Sequence, residues 1–146
     1  MNTCNTATVA INKATLIGNE QINRFQQLED AIKHNSSTLQ KLTSQEAQLN
    51  EYIDIGLEMA NQAGLLKLYV IQESWLKRVY TTLSETTTDA LKPKPWREMC
   101  KEYLYQPLFA LKHLYLSGPQ TANLAQGKRK IQILYKELSV TSQYLY

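Results

Sequence analysis

The feature that most constrains this chain is a run of apolar residues, spaced alternately three and four apart, from Phe25 to Ala63. With Phe25 as position a of a heptad, the a series reads Phe25, Ile32, Leu39, Glu46, Ile53 and Ala60. The d series reads Leu28, Asn35, Leu42, Leu49, Gly56 and Ala63. A period of about 3.5 keeps one stripe of a helix turned toward a neighbour, which predicts helix packing at a shallow left-handed angle. Asn35 and Glu46 put polar groups on that stripe, where they fix register or partner at some cost in stability.

The stretch "HNSSTLQ" carries punctuation of its own. Asn35 is a stop signal, and Ser37 is an N-cap with Gln40 placed to complete a capping box. A break there normally resets the heptad phase, and the phase carries through. The preferred reading is therefore one helix over 20–63, on the order of 65 Å long at 1.5 Å per residue. A split at Asn35–Ser37 is the alternative.

The remaining chain reads as further helices. Residues 65–83 form a second one, whose "LLKLYVI" is apolar nearly all round and suits cover on several sides. For it to pack beside the first, a turn must fall near Gln62–Gly64. "SETTTDALKPKP" is the clearest linker, 84–94, because consecutive threonines resist helix and Pro93 and Pro95 enforce an extended backbone before them. A third helix carries Trp96, Met99, Cys100, Tyr103, Leu104, Leu108, Leu111, Leu114 and Tyr115, with a kink or split expected at Pro107. A fourth holds Leu124, Ile131, Leu134 and Leu138.

Residues 1–17, rich in Asn and Thr without a period, are expected to be flexible or loosely packed. Five glycines and four prolines in 146 residues favour long regular elements. The expected fold is all-α: a four- or five-helix bundle with a long heptad-patterned N-terminal helix, in one domain over 18–146.

Chemistry is sparsely provided. The two histidines, His34 and His113, do not form the Glu-x-x-His pattern of di-metal bundles. No HExxH, paired CxxC, P-loop or GxGxxG occurs. Cys100 lies among apolar neighbours and reads as an inert buried thiol. Glu51, Asp54 and Glu58 share a broad face that suits solvent better than a cation. No catalytic residue, metal or cofactor is assigned.

Cys4 and Cys100 are too far apart and too few for a disulfide framework, which points to a reducing compartment. The start of the chain has no secretory pattern and no window is long enough for a membrane span. The expected setting is cytoplasmic, with no membrane partner.

Two surfaces then compete. The net charge of +3 is unevenly spread: Gly18–Ala63 holds three basic and seven acidic residues, Gly64–Tyr146 twelve and six. That asymmetry fits an acidic helix lying on a basic layer, or a basic surface aimed at a partner. "TANLAQGKRKIQILYKEL" loosely resembles a helix-turn-helix in spacing, with a turn at Gly127 and Lys128, Arg129 and Lys130 opening the second helix. Such a site would take nucleic acid by its phosphates.

The other surface is apolar. Six of nine tyrosines lie in the last third, and tyrosine covers apolar area at low entropic cost. Tyr105 and Tyr115, with Leu116, fall off the main stripe of the third helix. The favoured function is a non-enzymatic protein–protein interaction module (an adaptor, regulatory or assembly subunit) that self-associates as a homodimer. Its partner-binding residues would be Leu39, Leu42, Leu49 and Ile53 on the seam and Tyr105, Tyr115, Tyr144 and Tyr146 on the C-terminal surface. Nucleic-acid binding at Lys128, Arg129 and Lys130 is the alternative.

Overall fold

The computed structural model describes the backbone of residues 3–34, 42–117 and 124–143, and the side chains of 18–34, 43–117 and 127–137. All six regular elements in these residues are α-helices: α1 Thr3–His34, α2 Leu42–Leu65, α3 Tyr69–Thr88, α4 Lys94–Tyr103, α5 Tyr105–Ser117 and α6 Leu124–Gln143. No strand occurs among the described residues. The looseness expected of residues 1–17 concerns side chains outside that set.

The heptad stripe is not one helix. α1 ends at His34 and α2 begins at Leu42, and the two lie against each other. Arg24 forms a two-pronged pair with Glu51, 27 positions away, at 2.8 Å for each prong. In a continuous helix those residues would be about 40 Å apart. Phe25 stacks on Tyr52 with ring centroids 4.5 Å apart. The stripe thus folds back and covers itself: Phe25, Leu28 and Ile32 from α1 share one core with Leu49, Ile53 and Ala60 from α2. The single 20–63 helix is corrected to the split alternative, and Asn35 and Ser37, whose signals pointed to it, lie outside the described residues.

α3 is the central helix and touches all five others. It starts later than expected, because α2 runs through Gly64 to Leu65. The Leu68 N–H donates to the Ala63 carbonyl at 2.8 Å and the Lys67 N–H to the Gly64 carbonyl at 3.0 Å. Lys67 is left-handed with φ 60°. This is a Schellman closure with lysine where glycine is usual. The turn moves from Gln62–Gly64 to Leu66–Leu68 because the backbone closes there without a glycine.

α3 also ends later than expected. Thr86 and Thr87 are helical and buried, with hydroxyls donating to the carbonyls of Thr82 and Leu83, both at 2.8 Å. Burial with back-bonded hydroxyls overrides the weak helical propensity of threonine. The linker contracts from 84–94 to 89–93, where Asp89 accepts the Leu91 N–H at 3.0 Å. Pro93 caps α4 and Pro95 falls in its first turn.

The split expected at Pro107 occurs at Leu104, one turn earlier. Proline cannot donate to the Tyr103 carbonyl. The chain instead tightens there, with Leu104 donating to the Lys101 carbonyl at 3.2 Å. Trp96, Cys100, Leu104, Leu108 and Leu111 line one side of α4–α5 and enter the core. Each such side chain contributes about 1.5–3 kcal/mol on burial.

The charge asymmetry is met in part within the chain. Glu29 of α1, nearly buried, accepts from Arg78 of α3 at 2.9 and 3.0 Å and from the Tyr52 hydroxyl at 2.8 Å. Arg78 also lies over the rings of Phe25 at 5.0 Å and Trp75 at 5.8 Å. A carboxylate of the acidic segment 18–63 is thereby fastened to an arginine of the basic segment 64–146.

Candidate interaction surface

The residues singled out in the sequence divide into buried and exposed groups. Leu49 and Ile53 are fully buried in the chain's own core. The seam they mark is internal, so they are not a contact surface for a partner. Leu42 opens α2, with its side chain outside the described set; Leu39, Tyr144 and Tyr146 lie outside the described residues. Tyr115 is buried too, because α5 turns that face onto α3 and α6. Burial and the neighbouring Glu73 raise its phenol pKa.

The basic triplet is divided. Lys130 lies 3.4 Å from the Glu73 carboxylate and 5.1 Å over the Tyr115 ring, whereas Lys128 and Arg129 are exposed. Gly127 is inside α6, so the turn required by a helix-turn-helix is missing at that position. A continuous helix forms because the apolar residues Ile131 and Leu134 dock on the core in one phase. The helix-turn-helix expectation is corrected accordingly.

Of the tyrosines in the predicted site, Tyr105 is the one seen at the surface, and it is not alone. It stacks on Phe109, one turn along α5, with centroids 5.7 Å apart. Phe109 is 58% exposed, and Leu116 continues the same row. Across the α5–α6 boundary Lys112 donates to the Tyr135 hydroxyl at 3.2 Å, and Tyr135 is itself exposed. α5 therefore has two apolar sides. One, through Leu108, Leu111 and Tyr115, is consumed by the core; the other, through Tyr105, Phe109 and Leu116, faces water. Phe109 was missed in the sequence, although the i, i+4 spacing from Tyr105 marks the pair on one face.

A second apolar exposure was read the wrong way round. "LLKLYVI" was expected to be covered on several sides, yet Leu65 is 76% and Val70 69% exposed. Leu66, Leu68 and Ile71 are exposed as well. The reason is the shifted turn, which places the run at the exposed turn between α2 and α3 rather than inside one helix.

Two clefts border these surfaces. One of about 270 Å³ lies between α3, α5 and α6, lined by Tyr80, Tyr115, Leu134, Lys77, Lys130 and Glu137. Its charges are mutually engaged, since Glu73 also receives Lys77 at 3.1 Å. Although burial raises the Glu73 pKa, the hydrogen bond from Lys77 and the nearby charges prevail and hold it below the usual value. The other, about 220 Å³, separates Leu65, Tyr69 and Gln72 from Ala110, His113 and Ser117 at the end of α5.

Elsewhere, Cys100 is fully buried and its thiol is pushed up to about 12 by burial, so it stays protonated at neutral pH. Among the described residues, no group of three or more His, Cys, Asp or Glu side chains is placed to hold a metal. No helix among them is long and apolar enough to cross a membrane. Comparison with protein-family models, with curated proteins and with solved structures yields no match.

Proposed function

We propose that this chain is a non-enzymatic interaction module: a cytoplasmic helical bundle of adaptor, regulatory or assembly type that self-associates through its α5–α6 face. The observation that carries this reading is the stacked Tyr105–Phe109 pair left in water, with Leu116 beside it. Aromatic rings so placed offer large rigid apolar area at little entropic cost. A second copy of the chain is the proposed occupant, because a two-fold dimer covers one such row with its own equivalent. Tyr144 and Tyr146, just beyond α6, belong to the same proposal. The engagement of Cys100, Glu29 and Glu73 in packing and ion pairs supports a structural rather than catalytic use of these groups.

The test is Phe109→Asp, which places a charge on the row and leaves the core untouched. The expected result is a shift from dimer to monomer by size exclusion with light scattering, with helicity unchanged. Retention of the wild-type mass would overturn the assignment of this face.

The nucleic-acid reading keeps one supporting observation. Lys128 and Arg129 are exposed in a stretch, 103–136, that contains no carboxylate. A low-salt affinity that falls steeply with added salt, and that Lys128→Gln/Arg129→Gln removes, would favour it.

A further inference from the structure

The α2–α3 turn holds five large aliphatic side chains in water: Leu65, Leu66, Leu68, Val70 and Ile71. Between Glu58 and Glu73 the chain has one charge, Lys67, and it sits at the apex of the turn. The five side chains come from three pieces of backbone, one from the end of α2, two from the turn and two from the first turn of α3. A partner protein presenting one face covers only part of such a knob, whereas the fluid boundary of a bilayer surrounds it. The N–H groups of Leu66, Lys67 and Leu68 are bonded within the turn, to the carbonyls of Gln62, Gly64 and Ala63, whereas the first turn of α3 has no side-chain cap. Those uncapped donors suit the wet headgroup boundary and not the acyl interior.

The surrounding charge has a matching sign. α6 runs in the same direction as α3, with Lys130 against Glu73 and Glu137 in one cleft with Tyr80. The start of α6, with exposed Lys128 and Arg129, is thus at the same end of the molecule as the turn. The end of α5 lies there too, across the smaller cleft. From Tyr103 to Lys136 no carboxylate offsets these charges, and Glu73 is occupied by Lys77 and Lys130.

We propose that this tip attaches the protein peripherally to an anionic bilayer. The aliphatic side chains enter the boundary between headgroups and acyl chains, and Lys67, Lys128 and Arg129 face the lipid headgroup anions. The site goes beyond the protein-interaction reading and uses a different surface. It departs from the expectation of no membrane partner, since attachment at this depth needs no spanning helix. It is compatible with a cytoplasmic setting, because the cytoplasmic leaflet carries the anionic lipid.

The experiment is co-sedimentation of the full chain with two vesicle preparations. One is phosphatidylcholine alone, and the other contains about one quarter phosphatidylserine. Wild type is expected to pellet with the second, less so with the first, and less so at high salt. Leu66→Asp/Val70→Asp, both at exposed positions, is expected to stay in the supernatant with unchanged circular dichroism. Lys128→Gln/Arg129→Gln is expected to lose about thirtyfold in affinity. Phe109→Asp is expected to pellet like wild type, which separates this site from the self-association face. Wild type left in the supernatant with both vesicles would overturn the proposal, as would a Leu66→Asp/Val70→Asp variant that still pellets. Loss of a protein oligomer in that variant, without vesicle binding by wild type, would assign the tip to a protein contact instead.

Discussion

Glu29 is the residue on which the α1–α3 contact turns. Burial alone would push its carboxyl pKa up, but the hydrogen bonds from Arg78 and Tyr52 and the charges of Arg78 and Lys33 outweigh that and hold it below the ordinary 4.5. The folded protein therefore binds this proton less readily than the unfolded chain does. The resulting stability is complete above the unfolded carboxylate pKa and is lost as pH falls through the lower folded value. Glu29→Gln is expected to cost about 1–3 kcal/mol at neutral pH, since a charge-assisted pair becomes a neutral one and Arg78 loses its counter-ion. It should also flatten the acid limb of stability below pH 4.5 relative to wild type. Urea midpoints for both proteins across that range decide it, and parallel acid limbs would contradict the role given to Glu29. By contrast, the Arg24–Glu51 pair is exposed on both sides and adds little, however good its geometry.

Among the elements, α2 lies close on α3 at Gly56. A Cβ there would collide with the Val79 side chain and stand 3.1 Å from Phe25 Cε2. Gly56→Ala is expected to destabilise by about 1–3 kcal/mol despite the better helical propensity of alanine, because overpacking outweighs it. A thermal or urea midpoint at or above that of wild type would show that the contact yields instead. In the sequence Gly56 was merely a weak d position. The heptad phase itself was legible: Phe25, Leu28, Ile32, Leu49 and Ile53 are all buried as it required. What a period cannot state is whose helix covers the stripe, and here the chain covers its own. The threonine run shows the reverse limit. Local propensity opposed a helix at Thr86–Thr88, and burial with back-bonded hydroxyls won. For "LLKLYVI" composition predicted cover, but exposure depends on where a turn closes, and a left-handed lysine closed it where no glycine marked the place.

At the scale of the whole molecule, the core and the surface divide the apolar residues unequally. The core draws on all six helices, with α3 at the centre. Most of what it leaves outside among the described residues is gathered in two places, the Tyr105–Phe109 row on α5 and the aliphatic tip at Leu65–Ile71, with Leu91 before α4 and Ile133 and Tyr135 on α6 besides. Neither was predicted as a unit, because both depend on which side of a helix the core has already taken. Of the four partner-binding residues whose side chains are described, Leu49, Ile53 and Tyr115 hold the fold, while Tyr105 remains available. The acid-free span from Tyr103 to Lys136 sets the charge of the end where the tip lies. Self-association is the claim on which the proposed function rests, and sedimentation equilibrium of the wild-type chain over a wide concentration range tests it most directly. The account predicts an apparent mass that rises from 16.8 kDa toward about double that value. A mass that stays at 16.8 kDa at every concentration would contradict it.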